Sequence, residues 1–300
     1  MAKEVERISF HDQIARNKFN SVLLAIIVFI VLIALGYAIS YAFDPGYFFF
    51  IMIIATFVSL FYVMITYFMS DKIALASVGA SEADKNQHRM LYHAVENMSI
   101  ASGLPMPRVY VMPGAQINAF ATGRDPKHSV VCVTEAAFEK LNKQELEGVI
   151  GHEMAHIANY DIRFVTTVAV VVGAISIISQ MFLRSLWMGS RSDDNRGRGN
   201  LIFFLIAIVL AIFAPLIVKL VQLAISRKRE FAADAGSVQF TRYPPGLIGA
   251  LTKIKKEHEP MKVPGAVAPM FFSDVTRRKI EGLFATHPPI DVRIKTLERM

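Results

Sequence analysis

Two histidines, His152 and His156, stand four residues apart in Gly151-His152-Glu153-Met154-Ala155-His156, with a glutamate directly after the first. On an α-helix this spacing puts both imidazoles on one face, so they can turn toward a single ion with Glu153 beside them. Imidazole nitrogens suit zinc, and a neighbouring carboxylate can take a proton from water. Leu146, Val149, Ile150, Met154, Ala155 and Ile157 are apolar or small, as a buried active-site helix requires. The bland alternative is two histidines on an ordinary helix.

A catalytic zinc usually has three protein ligands and one open position, so a third ligand must come from elsewhere in the chain. Glu230 opens Glu230-Phe231-Ala232-Ala233-Asp234, where two acids again lie four apart on one helical face. Glu230 is the candidate third ligand. Asp234 is the candidate partner for the second N–H of a ligating histidine, fixing its tautomer. The plain reading of Glu230 is an exposed acid offsetting Arg227, Lys228 and Arg229. One Zn2+ per chain and no other cofactor are expected, with Glu153 as general base in peptide-bond hydrolysis.

These side chains need a helix and a scaffold. Asn142 reads as the N-cap of the motif helix, with Glu145 three residues on as in a capping box. Before it, Thr134 to Leu141 suggests a short helix, and Ser81 to Ala101 an amphipathic one, with Leu91, Val95 and Met98 at helical spacing. Arg108 to Met112, Ile117 to Thr122 and Ser129 to Val133 are short runs bounded by turn residues or charges, as a small sheet needs. The lone Cys132 lies in an apolar run and is expected in the core.

A hydrophobic fraction of 53% is too apolar for an ordinary soluble fold. Ser21 to Phe43 and Tyr47 to Met69 are each long enough, at about 1.5 Å per residue, to cross a hydrocarbon core of about 30 Å. Only Asp44, Pro45 and Gly46 separate them, which predicts a helical hairpin retained as an anchor. A weaker pair spans Phe164 to about Met188 and Leu201 to about Leu223. If that pair is an antiparallel hairpin, Glu230 emerges beside His152 and His156 at the same membrane face. The expected division is therefore 1–20 as an N-terminal segment, 21–69 and 164–223 as membrane hairpins, and 70–163 with 224–300 as two parts of one peptidase unit. Lys3, Arg7, Arg16 and Lys18 place the N-terminus on the cytoplasmic side, and the Arg227-Lys228-Arg229 run agrees. Arg191, Arg196 and Arg198 do not, so a partly embedded second pair stays open. The formal charge of +7 fits loops facing an anionic leaflet, and no nucleic-acid module is recognisable.

The chain resembles the HtpX family of bacterial heat-shock membrane zinc metallopeptidases over nearly its full length. The resemblance rests on the paired apolar spans, Asn118-Ala119-Phe120-Ala121-Thr122-Gly123, Gly151 to His156, Ser226 to Asp234 and Thr286-His287-Pro288-Pro289, in that order. It implies a mainly helical α+β membrane protein with four spans and a gluzincin-like peptidase domain carrying a small sheet. It also implies an active site facing the cytoplasm at the inner membrane, and misfolded or damaged membrane proteins as substrates. His287, in the matching motif, is the candidate partner for the tetrahedral intermediate, with Arg293 second. His287 also reads simply as a loop histidine beside a double proline. Ile117 to Gly123 could offer a sheet edge to an extended substrate, anchored by Asn118, which is equally readable as a turn residue.

Two other functions compete. A protease of prenylated proteins would be expected to have more than four spans. A zinc-binding scaffold or transporter would not need Glu153 and would be expected to carry ionisable residues along a membrane pathway.

Overall fold

The computed structural model describes residues 10–42, 46, 48–171, 227–257, 260–275 and 287–300. It is mainly helical, with one small mixed sheet. Two long helices come first, α1 (Phe10–Ala42) and α2 (Phe48–Ser77), packed along each other. α2 is, among the described residues, the one helix long and apolar enough to cross a membrane. Phe49, Phe57 and Phe61 on it are 79%, 70% and 64% exposed, a surface that water would penalise and lipid would not. Of the expected second pair, 164–171 is helical and 172–226 lies outside the described residues.

The remaining chain builds a two-layer unit. Strands β1 (Ser81–Glu82), β2 (Arg108–Met112), β3 (Ala119–Gly123) and β4 (Ser129–Thr134) form a sheet in the order β1-β2-β4-β3. The β2–β4 pair is parallel and the other two are antiparallel. Val130, Val131, Cys132 and Val133 are fully buried, as a β-branched run at the centre of a sheet should be. Gly123 has φ +135°, and a Cβ there would fall 2.2 Å from the His128 carbonyl oxygen, so the turn between β3 and β4 accepts only glycine.

Helices α3 (Arg89–Ser102) and α5 (Lys143–Ala158) pack beneath the sheet, with the short α4 (Glu135–Lys140) between β4 and α5. α3 begins later than the apolar pattern suggests. Asp84 accepts the backbone N–H groups of Asn86 and Gln87, which holds the chain in a turn there, and Ser81–Glu82 pairs with β2 instead. Both halves of the capping box at Asn142 and Glu145 are formed, at 2.9 and 2.8 Å. Among the described residues, the later helices α6 (Arg227–Thr241) and α7 (Pro244–Lys256) pack on α5, and α8 (Ile290–Leu297) packs on α7 and α6.

Candidate metal centre and active site

α5 is buried along almost its whole length, so its polar residues His152 and Glu153 face protein rather than water. α6 crosses it at very close range. A Cβ on Gly236 would lie 2.6 Å from the Ala155 Cβ, and the Ser237 hydroxyl donates to the Gly148 carbonyl at 2.6 Å. This contact brings Glu230 and Asp234 against the two histidines from more than seventy residues away in sequence.

The Nε2 atoms of His152 and His156 are 3.1 Å apart, and Glu230 reaches both, with Oε2 3.6 Å from the first and Oε1 3.6 Å from the second. Three atoms around a zinc at about 2.0 to 2.1 Å in tetrahedral geometry would be about 3.3 Å from one another, and with one oxygen from Glu230 the three ligand atoms here lie within 4.8 Å of one another, close enough to gather around such an ion. Glu230 Oε2 is also buried without a hydrogen-bond donor, an arrangement that is costly unless a cation satisfies it. Of the described residues, these three form the group able to share an ion.

Each histidine is held from behind. His152 Nδ1 lies 2.9 Å from Asp234 Oδ1, and a proton there leaves Nε2 free to ligate. Asp234 is in turn gripped by Arg293, whose Nε and Nη2 donate to Oδ2 at 2.9 Å and Oδ1 at 2.6 Å. His156 Nδ1 lies 2.9 Å from Asp161 Oδ2. Asp161 was not singled out by the sequence reading. It follows a tight turn in which Tyr160 has φ +59°, so no helical spacing announces it.

Burial and neighbouring charge set the proton affinities of the metal-free pocket. Burial raises the Glu153 carboxyl to about 7, helped by the charge of Glu230 and opposed by His156. Burial lowers His152 to about 4 despite Asp234. Burial also disfavours the His156 cation, but Asp161 and Glu230 outweigh it and lift that group to about 9. Asp234 is held well below the usual carboxylate range. Burial alone would raise it, but the Arg293 charge and the His152 hydrogen bond dominate.

Two expected substrate contacts are placed differently. Arg293 is 1% exposed and its guanidinium fork is taken up by Asp234 and the Phe272 carbonyl, so it braces His152 instead of facing the cleft. The Asn118 side chain donates to the Ser273 carbonyl and accepts the Ser273 N–H, both at 3.0 Å. Phe272 donates to the Ala119 carbonyl at 2.8 Å, and Phe271 bridges Phe120. The chain's own segment thus covers the β3 edge at Ala119 and Phe120, where the sequence reading put a substrate strand. Ala121, one residue on, does border the cleft, and its backbone N–H opposes the rise in the Glu153 proton affinity. His287 lines the cleft, with Nε2 3.6 Å from Glu230 Oε2. The cleft between these groups has a volume of about 30 Å³, room for an ion or a water and not for a peptide.

Comparison with known proteins finds relatives along the whole chain. The model of peptidase family M48 matches residues 84–300. A protease HtpX homolog of Thermoanaerobacter pseudethanolicus is 43% identical over 99% of both chains. Another, from Lactobacillus helveticus, is 41% identical over 97% of this chain and 99% of its own length. Among solved structures, S. mikatae Ste24p aligns with a TM-score of 0.49 at 16% identity, covering 95% of this chain and 66% of that one.

Proposed function

The chain belongs to peptidase family M48, and on that basis we propose that it is a membrane-embedded zinc endopeptidase with Glu153 as its general base. The observation that carries the reading is the convergence of His152, His156 and Glu230 on one point, with Glu230 Oε2 left without a donor. Zinc held there would supply a Lewis acid for the scissile carbonyl and make water a nucleophile near neutral pH.

The protein supplies the rest. Glu153 lies in the cleft with its carboxyl raised by burial, so it can take a proton from the attacking water and pass it to the leaving amine. His287 is disfavoured as a cation by burial, which leaves a neutral imidazole able to donate a hydrogen bond to the developing oxyanion. The Asp234–Arg293 pair and Asp161 hold the two ligating rings in orientation. A metal-binding scaffold would have no use for the buried carboxylate of Glu153 at the mouth of the site.

The exposed apolar face of α2 supports anchoring in a bilayer, and the basic residues Arg16 and Lys18 at the start of α1 support a cytoplasmic active site in the inner membrane. Misfolded or damaged membrane proteins are the substrates this placement suits, in keeping with a role in membrane protein quality control. The test is removal and return of metal. Detergent-purified protein should stop cleaving an unfolded substrate after a zinc chelator and recover with stoichiometric Zn2+. Undiminished cleavage after the metal is gone would end the proposal.

A further inference from the structure

α1 does more than run beside α2. Its Asn17, 4% exposed, donates one amide hydrogen to the Asn159 carbonyl at 2.9 Å and the other to Asp161 Oδ1 at 2.7 Å. Both partners are oxygen acceptors, so the nitrogen of the carboxamide must be the end that faces them. On the next residue, the Lys18 ammonium sits 4.1 Å from the centroid of the Tyr160 ring. Two turns beyond Asn17, Leu24 is buried against Phe164 and Val168 of the helix that restarts at 161. Every residue of the turn 159–161 is therefore held by α1. The Asn159 carbonyl is one of the groups a helix end leaves without an intrahelical donor.

The other oxygen of Asp161 takes the His156 Nδ1 proton. A carboxylate between two donors has little freedom to rotate, so the orientation of His156 depends on the amide that fixes Asp161. We propose that Asn17 is a positioning residue for the metal site, through which docking of α1, the helix packed along the apolar α2, holds Asp161, and hence His156, in the ligating orientation. This role rests on the metallopeptidase reading. It makes α1 part of the active site, so that this helix does more than pack along α2. Arg229 Nε lies 3.8 Å from Asp161 Oδ1, the oxygen that Asn17 bonds, and adds positive charge there.

The test uses the full chain in detergent and compares wild type with Asn17→Ala, Asn17→Leu and Asn17→Asp. Asn17→Leu keeps the branched heavy-atom shape and raises helix propensity while removing both donors, which guards against a variant that merely fails to fold. Ser21→Ala is the control, since among the described residues the Ser21 hydroxyl bonds only the Asn17 carbonyl of its own helix. The readouts are zinc affinity by chelator competition, the visible absorption of the Co2+-substituted protein, and kcat separately from KM. Removing the amide should weaken zinc binding by about 10-fold, the low end for groups that support a ligand, and lower kcat with KM little changed. Asn17→Asp, which sets a carboxylate against Asp161, should lose more, and all three should shift the Co2+ bands while Ser21→Ala does not. Wild-type affinity and Co2+ spectrum in Asn17→Leu would overturn the positioning role and leave the metallopeptidase reading intact. Failure of the wild type to bind zinc or Co2+ would overturn both.

Discussion

Replacing Asp234 by Asn separates two consequences that the geometry ties to one carboxylate. Asp234 and Arg293 are each 1% exposed, and the guanidinium has no other carboxylate within bonding distance among the described residues. An amide at 234 turns one acceptor into a donor, which must then oppose either Arg293 or the His152 Nδ1 proton. Breaking one side of a fully buried ion pair leaves a buried charge, at a cost of about 3 to 5 kcal/mol. Zinc affinity should fall separately by about 10 to 100-fold, or about 1.4 to 2.7 kcal/mol, because His152 loses its orienting acceptor. Adding Arg293→Met removes the stranded charge, so the double variant should recover most of the stability and none of the zinc affinity. Chemical denaturation of the metal-free protein in detergent gives the first quantity and chelator competition the second. A double variant no more stable than Asp234→Asn alone, or one that regained its zinc affinity, would refute this division of roles.

Other perturbations address neighbouring parts of the site. Glu230→Gln should lower zinc affinity far more than Asp234→Asn does, since it removes a ligand charge, and isothermal titration would show it. Gly236→Val should spread α5 from α6, because the added Cβ meets Ala155 at 2.6 Å; thermal stability and zinc content should fall together. In the metal-free pocket His156 is raised to about 9, so at pH 7 zinc must displace its proton. Binding enthalpies measured in buffers of different ionisation heat should therefore show release of about one proton per zinc. Affinity should weaken as pH falls through and below that value, and no buffer dependence would contradict the assignment.

Much of this site is legible in the sequence because its parts repeat at helical spacing. His152 with His156 and Glu230 with Asp234 are each four apart, and the Asn142–Glu145 capping box fixes where the motif helix begins. β2 coincides with the run Arg108 to Met112, where turn residues bound a β-branched stretch. What escapes is held by single long-range bonds that leave no period. Asp161 and Asn17 meet across more than one hundred and forty residues, and Arg293 reaches Asp234 from a helix of its own. The Phe271–Ser273 cover on β3 has no pattern either, since two residues and an asparagine clamp suffice to make it. The two-residue β1 is too short for any alternation to show.

The most direct test of the central claim is cleavage of an unfolded protein by wild type and Glu153→Gln, each purified in detergent with its zinc content measured. The account predicts about one zinc in both proteins and hydrolysis by the wild type alone, because Glu153 moves a proton and ligates nothing. Equal hydrolysis by both, or loss of zinc from Glu153→Gln, would contradict it.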